Sequence, residues 1–341
     1  MKNPCADMLM QAPCDGGFRM DGYYVWCGSV VRAEEDGKYH MFASRWPQEY
    51  GFGWNWLYRS EIVRAVSDTP TGPFAYVETV LPARDPSYFD GRNTHNPMIR
   101  YYDGTYYLYY MGTTYEGETP TGERLHDGAL AEQVWNRKRI GLATAPSITG
   151  PWSRRDTPLL EPRKGYWDST VTTNPAVAVL PDGITYMLYK SRAFVGGKLQ
   201  IGVARAPRPD GPFERLADDP IFNFPHPDFH VEDPYLWYAD GKFHLIIKDD
   251  FKNNCGGVTG VWGSGFYAES EDCIRWEIAD DPIVYTRRIR FEDGERDMPN
   301  AERPFLLMEG GKPVCLYVAT GEGSAPYALE HSWSQAIPCR S

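Results

Sequence analysis

No stretch of the chain reaches the roughly 18 consecutive apolar residues that a membrane-spanning helix needs. The seven cysteines (5, 14, 27, 255, 273, 315 and 339) include no CxxC pair and are odd in number. That argues against a dense disulfide framework or a zinc ribbon and favours reduced core thiols. Positive charge is in deficit, with 35 Lys and Arg against 46 Asp and Glu and a net charge of −11. A nucleic-acid backbone needs a basic face, so the balance argues against that partner. Glycine-rich GxGxxG and Walker loops and a GxSxG elbow are missing, which removes the nucleotide and serine-hydrolase readings. The opening "MKNPCADMLMQAPC" carries no apolar signal core, so the expected location is cytoplasmic. His226 and His230 are four apart, but the proline of "HPDFH" argues against a helical metal pair, and no metal site is expected.

Aromatic residues are plentiful instead: 11 Trp, 23 Tyr and 15 Phe, more than a strand core alone calls for. A surplus of Trp and Tyr suits stacking on the flat faces of sugar rings. At 341 residues the length alone suggests about two domains, although strand-rich folds often run this long as one.

Internal repetition decides between these. "YFDGRNTHNP" (88–97) and "YWDSTVTTNP" (166–175) share an aromatic–Asp front and an Asn–Pro end. After each Pro comes an apolar run, a turn and an aromatic strand: "NPMIRYYDGTYYLYYMG", then "NPAVAVLPDGITYMLYKS". "DPYLWYADGKFHLIIKD" and "RPFLLMEGGKPVCLYVAT" repeat the unit, and "CGSVVRAEEDGKYHMFAS" is a degenerate first copy. Asp-Gly between two such runs is a hairpin signal. A second strand and turn follow, as in "RAVSDTPTGPF", "GLATAPSITGPW" and "GVARAPRPDGPF". The anchors Gly28, Pro97, Pro175, Pro234 and Pro304 are spaced 69, 78, 59 and 70 residues apart. Five units of about four strands predict an all-β, five-bladed β-propeller, a single domain over 1–341 with four-stranded antiparallel blades around a central axis. The last unit is one strand short, so segment 1–20 is expected to pair there and close the ring.

In such a ring the Asn–Pro and Asp–Pro corners surround one mouth. Asp21, Asp90, Asp168 and Asp297 each lie seven residues before an anchor. Asp caps turns on its own, and that reading is favoured for Asp21 and Asp297. For Asp90 and Asp168 the aromatic preface and the polar run that follows keep a catalytic role open. "HVEDP" adds Glu232 and "NAERP" adds Glu302, each two residues before its anchor. Glu302 beside Arg303 fits a buried ion pair. Glu232 lies between His230 and Asp233, and the adjacent like charge is expected to raise its pKa, as a general acid requires. Two carboxylates across a pocket are the minimum machinery of a glycosidase. Trp46, Trp54 and Trp56 in "SRWPQEYGFGWNWLYRSE" are candidate sugar platforms, at least one of them core, and His95 and Asn96 are candidate ligand contacts.

With its repeated "DGxYYLYY" and "TGPW" elements, nearly the whole chain resembles the five-bladed propeller glycoside hydrolases related to family 43. Within that group it is similar to a bacterial branch carrying "HNP", "TTNPA", "EDPYLW" and "ERPFLL". The resemblance implies a general acid at Glu232, since the family's Glu also precedes a proline by two. It places a base before the first anchor, where this chain has Cys27-Gly28, and a modulating Asp where it has Asn96 or Asn174. Related mannoside phosphorylases use one carboxylic acid and a basic phosphate pocket, to which Arg92 and Arg303 would belong. The expected activity is exo-acting hydrolysis of an oligo- or polysaccharide from its non-reducing end, with Glu232 as acid and Asp168 or Asp90 handling water. A glycoside phosphorylase and a non-catalytic carbohydrate-binding propeller are the alternatives. No cofactor is expected beyond a structural ion for which the central channel leaves room, and the expected partner is carbohydrate, with neither nucleic acid nor membrane.

Overall fold

The computed structural model describes residues 1–340, and Ser341 lies outside the described residues. Every unit read from the sequence forms an antiparallel blade. The first holds Tyr23–Arg32, Tyr39–Pro47, Glu61–Ser67 and Ala75–Leu81 in that order. The second runs Asn93–Tyr102, Thr105–Thr113, Arg139–Ala145 and Ser153–Arg154. The third runs Thr173–Val179, Thr185–Ser191, Gln200–Ala206 and Glu214–Arg215. The fourth runs Val231–Ala239, Lys242–Asp249, Gly265–Ser270 and Glu277–Tyr285. The fifth has three strands, Glu302–Glu309, Lys312–Ala325 and Ala328–Pro338. Along its free edge runs the N-terminal segment, bridged antiparallel at Leu9–Cys339 and Phe18–Ser334. The inner strands of successive blades lie side by side, the fifth against the first, so the sheet edges close into a ring and the fold is a five-bladed β-propeller.

Local chemistry explains the blades. Asp103-Gly104 and Asp240-Gly241 both take positive φ at their two residues, the geometry of a tight turn that matches strand twist. Tyr110 and Tyr189, on second strands, lie flat on glycines of the third strands. A Cβ at Gly141 would meet the Tyr110 ring at 2.5 Å, and one at Gly202 the Tyr189 ring at 2.4 Å. Blades then stack through apolar faces such as those of Val177, Met187, Tyr235, Ile246 and Phe305.

The corners at the anchors position the site. Cys27, Asn96, Asn174, Asp233 and Arg303 each precede an anchor, and all five have left-handed backbones, with φ of 61°, 54°, 53°, 55° and 51°. Strand pairing slips at each corner, the signature of a β-bulge. Asn and Asp tolerate this conformation, whereas Cys27 and Arg303 hold it at a cost of roughly 1–2 kcal/mol each. The bulge turns these five side chains into a ring. The Cys27 thiol donates to Asn96 Oδ1 (2.9 Å), Asn96 Nδ2 to Asn174 Oδ1 (2.8 Å), and Asn174 Nδ2 to Asp233 Oδ1 (2.6 Å). Arg303 donates to Asp233 through its backbone N–H (3.3 Å) and guanidinium (3.5 Å).

Candidate active site

Four residues of that ring, Asn96, Asn174, Asp233 and Arg303, floor a cavity of about 440 Å³ at the mouth where the inner strands begin. Trp26, Trp46, Phe52, Trp54 and Trp56 of the first blade wall one side, and Trp135 stands beside them. Two insertions build this wall. After the strand ending at Pro47 the chain makes a short turn and the helix Asn55–Arg59. The second blade inserts the helix Gly128–Trp135, whose first turn is capped by Asp127 accepting from the Ala129 and Leu130 amides at 3.0 Å. The insertions pack together through Leu57, Tyr58, Tyr115, Ala131 and Val134 and close that flank.

An ionic cluster shares the cavity with the tryptophans, its Lys190 ammonium 6.0 Å from the Trp135 ring centroid. Glu232 accepts from the Lys190 ammonium and lies 3.7 Å from that of Lys248. Lys248 also contacts Glu302 at 2.6 Å and Asp250 at 3.1 Å. Tyr327 donates its hydroxyl to Glu302 at 2.5 Å, and Asn300 Nδ2 donates to the same oxygen at 3.1 Å. Burial by itself raises the Glu232 carboxyl, but Lys190 and then Lys248 overcome it and hold the pKa at about 2. The sequence expectation of a raised pKa is therefore corrected: neighbouring ammonium groups outweigh burial and the like charges. Asp250 goes the other way. Burial, with Glu232 and Glu302 nearby, lifts it to about 6 despite Lys248. Burial holds His95 neutral, with its Nδ1 2.8 Å from Ser60 Oγ and its ring between Trp46 and Trp56. Among the described residues no cluster of His, Cys, Asp and Glu is arranged to hold a metal.

Nine residues singled out in the sequence line this cavity: Glu232, Glu302, Arg303, His95, Asn96, Asn174, Trp46, Trp54 and Trp56. Three do not. Asp90 is fully buried and accepts from Arg84 Nε and Tyr110 OH, both at 2.7 Å, with Arg154 at 3.6 Å. Asp168 repeats this, accepting from Arg163 (3.0 Å), Arg215 (2.6 Å) and Tyr189 OH (2.9 Å). With arginine forks and a phenol on their oxygens, neither aspartate has an oxygen free for water or sugar, which corrects the catalytic reading of both. Arg92 immediately precedes the second blade's inner strand, donates to the Gly117 carbonyl of the insertion at 2.7 Å, and is not part of a phosphate pocket in this cavity.

Lys138, Lys190, Lys248, Trp135 and Tyr327 were missed. Lys248 was visible in principle: in "HLIIKDD" a lysine interrupts a buried apolar strand, and it pairs in register with Glu232. Lys190 in "MLYKS" is its equivalent one blade earlier. Lys138 and Tyr327 sit in irregular connections without periodic context and carry no such signal.

A larger cavity of about 850 Å³ opens at the opposite mouth. Its cations are committed, Arg100 to the carbonyls of Val177 (2.8 Å) and Leu236 (3.3 Å), and Arg32 to that of Gly37 (3.1 Å). It gathers no convergent set of reactive groups comparable with the first.

No protein-family model matches the chain, and no curated protein matches it by sequence. Solved structures do match by shape. Zg3597, a family 117 glycoside hydrolase of the marine bacterium Zobellia galactanivorans, superposes with a TM-score of 0.67 at 18% identity, over 97% of this chain and 89% of that one. A thermostable family-43 glycoside hydrolase gives 0.61 at 15% identity, over 97% and 92%. The Bacillus subtilis arabinanase Arb43A gives 0.59 at 14% identity, over 93% and 94%. The shared shape extends over almost the entire chain, and the protein is a five-bladed β-propeller of the architecture built by glycoside hydrolases of families 43 and 117.

Proposed function

We propose that the tryptophan-walled cavity is the active site of an exo-acting glycoside hydrolase that takes the terminal sugar of an oligo- or polysaccharide. The observation that carries this reading is the pair Glu232 and Glu302, held on one ammonium, Lys248, in a cavity that tryptophans also line. Paired carboxylates beside a stacking surface are what glycosidic cleavage needs. The closed floor and closed flank favour action at a chain end, because a dead-end pocket admits a terminus and a through-groove admits a mid-chain segment. A volume of about 440 Å³ suits a small-ligand site.

The lysines reassign the carboxylates. A Glu232 held at about 2 is ionised near neutrality and accepts a proton from the attacking water or attacks the anomeric carbon itself. The Tyr327 hydroxyl donates to Glu302, and burial with that negative charge pushes its pKa well above the phenol range, so it orients Glu302 and the leaving oxygen takes its proton from solvent at the mouth. Cys27, where family 43 has its base, is buried with its thiol pKa pushed up and takes no part.

A phosphorylase is the second reading, favoured by Lys138, Lys190 and Arg303 facing the same cavity. It requires strict dependence on phosphate. A non-catalytic sugar-binding propeller, favoured by Cys27 at the base position, would bind saccharide without forming product. Product release from a panel of oligosaccharides, with and without phosphate, by wild type and Glu232→Gln separates the three. Release of a monosaccharide without phosphate, lost in the variant, supports hydrolysis; release by both proteins would remove Glu232 from the chemistry.

A further inference from the structure

We propose that Lys138 is the anion-binding residue of this cavity and that the group it receives is an oxyanion, either the carboxylate of a uronic acid or a phosphate. The proposal rests on the saccharide reading of the cavity and names the class of ligand. Lys138 is 2% exposed, and what remains open faces the cavity. Its ammonium lies 3.5 Å from the Trp135 ring centroid and 5.5 Å from that of Trp56. Among the described residues it has no carboxylate and no hydrogen-bond acceptor. The other cations around it are each matched: Lys190 with Glu232, Lys248 with Glu302, Arg192 with Glu132 and Arg303 with Asp233.

A buried ammonium without a counter-charge is unfavourable, and the structure relieves it by favouring the neutral amine. Burial drives the Lys138 pKa well below the lysine range; Lys190 and Arg192 push the same way, while Glu232 and Glu132 push back. Trp56 and Trp135 offer only ring faces, and neutral His95 offers no charge. An oxyanion entering the cavity supplies the missing counter-charge, and the amine takes up a proton as the pair forms. A neutral sugar supplies nothing in its place.

A plain cation–π peg in the wall would look similar but behave differently. Replacing a peg loosens the wall and lowers the melting temperature. Replacing an unpaired buried charge by an apolar chain of similar length keeps or raises it.

The test is calorimetric titration of the full chain near neutral pH with D-glucuronate, D-galacturonate and inorganic phosphate, against D-glucose and D-galactose, in two buffers of different ionisation enthalpy. At least one oxyanion is expected to bind about tenfold or more tighter than the neutral sugars, with net proton uptake. Lys138→Met is expected to lose both the preference and the uptake without a lower melting temperature. Lys138→Arg, always charged, is expected to keep the preference and lose the uptake. A uronate preference assigns the anion to the sugar, and a phosphate preference assigns it to free phosphate. The proposal is overturned if no oxyanion is preferred, if Lys138→Met keeps the preference, or if that variant merely unfolds at lower temperature. Neutral sugars binding as well as uronates would remove the anion and leave the saccharide reading intact. Lys138-dependent oxyanion binding without cleavage of any glycoside would do the reverse.

Discussion

Two kinds of buried acid occupy this propeller, and they use different cations. Asp90 and Asp168 are enclosed by arginines: Arg84 and Arg154 around the first, Arg163 and Arg215 around the second, each with a tyrosine. Arg84 and Arg163 reach on to Asp156 (2.7 Å) and Asp218 (2.6 Å), so both clusters run out to the surface in the same way. Glu232 and Glu302 are held by lysines, point charges on flexible stems, and Glu232 keeps 15% of its side chain open. Planar guanidinium forks use up carboxylate lone pairs and leave a rigid joint between a blade's entry loop and its outer strand. Ammonium groups hold a carboxylate in its charged form and leave an edge for a ligand. Burial and charge are common to both; the presence of an open edge separates a joint from a site.

Substitution should split the two kinds of acid. Glu232→Gln is expected to lower kcat by about 10²–10⁴-fold and, with Lys190 left unpaired, to lose about 3 kcal/mol of stability as well. Asp168→Ala is expected to lose about 3–5 kcal/mol of stability because Arg163 and Arg215 are left unpaired, while the folded fraction keeps its kcat. Denaturant titration beside single-turnover kinetics reads both, and a folded Asp168→Ala protein without activity would break the comparison.

Acid sharpens it further. Glu232, depressed from 4.5 to about 2, contributes stability above pH 4.5 that is lost as the pH falls towards 2. Asp250, raised from 3.8 to about 6, is strained in its charged form at neutral pH, and that strain is relieved as the pH falls from 6 to 3.8. Each is on the order of 3 kcal/mol. Buried His95 and His230, whose pKa values burial depresses, the latter to about 4, lose stability over the same range below pH 6.5, so each carboxylate is read as a difference from wild type. The urea midpoint of Asp250→Asn is expected to gain on wild type near neutrality and to lose that advantage by about pH 4, and the deficit of Glu232→Gln is expected to shrink as the pH falls from 4.5 towards 2.

Smaller effects follow at the edges of each cluster. Gly202→Ala forces a Cβ against the Tyr189 ring at 2.4 Å and is expected to cost about 1–3 kcal/mol by pushing that phenol off Asp168. A thermal melt of the alanine variant within error of wild type would show that the ring can move aside. Trp54, 39% exposed at the mouth, is expected to act on binding alone. Trp54→Ala should raise KM several-fold with kcat unchanged and shift stability by no more than about 0.5 kcal/mol.

The blades were legible because each is written locally: an anchor corner, a two-residue turn and a Gly-Pro turn recur within one unit. The short fifth blade pointed to the N-terminus for the same reason. The site was legible where a corner carried it, as at Glu232, Glu302, Asn96 and Asn174, and where an aromatic-rich loop did, as at Trp46 and Trp54. Asp90 and Asp168 looked alike in sequence because they are alike in structure, but their role is set by Arg154 and Arg215, far along the chain. The charge state of Glu232 was misread for a related reason. Its sequence neighbour is Asp233, whereas its nearest spatial neighbours are Lys190 and Lys248, on the second strands of two blades.

The most direct test of the account is monosaccharide release from plant and algal oligosaccharides, read by mass spectrometry, for wild type, Glu232→Gln and Asp168→Asn side by side. The account predicts phosphate-independent release by wild type and by the folded Asp168→Asn protein, and none by Glu232→Gln. Release by Glu232→Gln, or its loss in a folded Asp168→Asn protein, would contradict it.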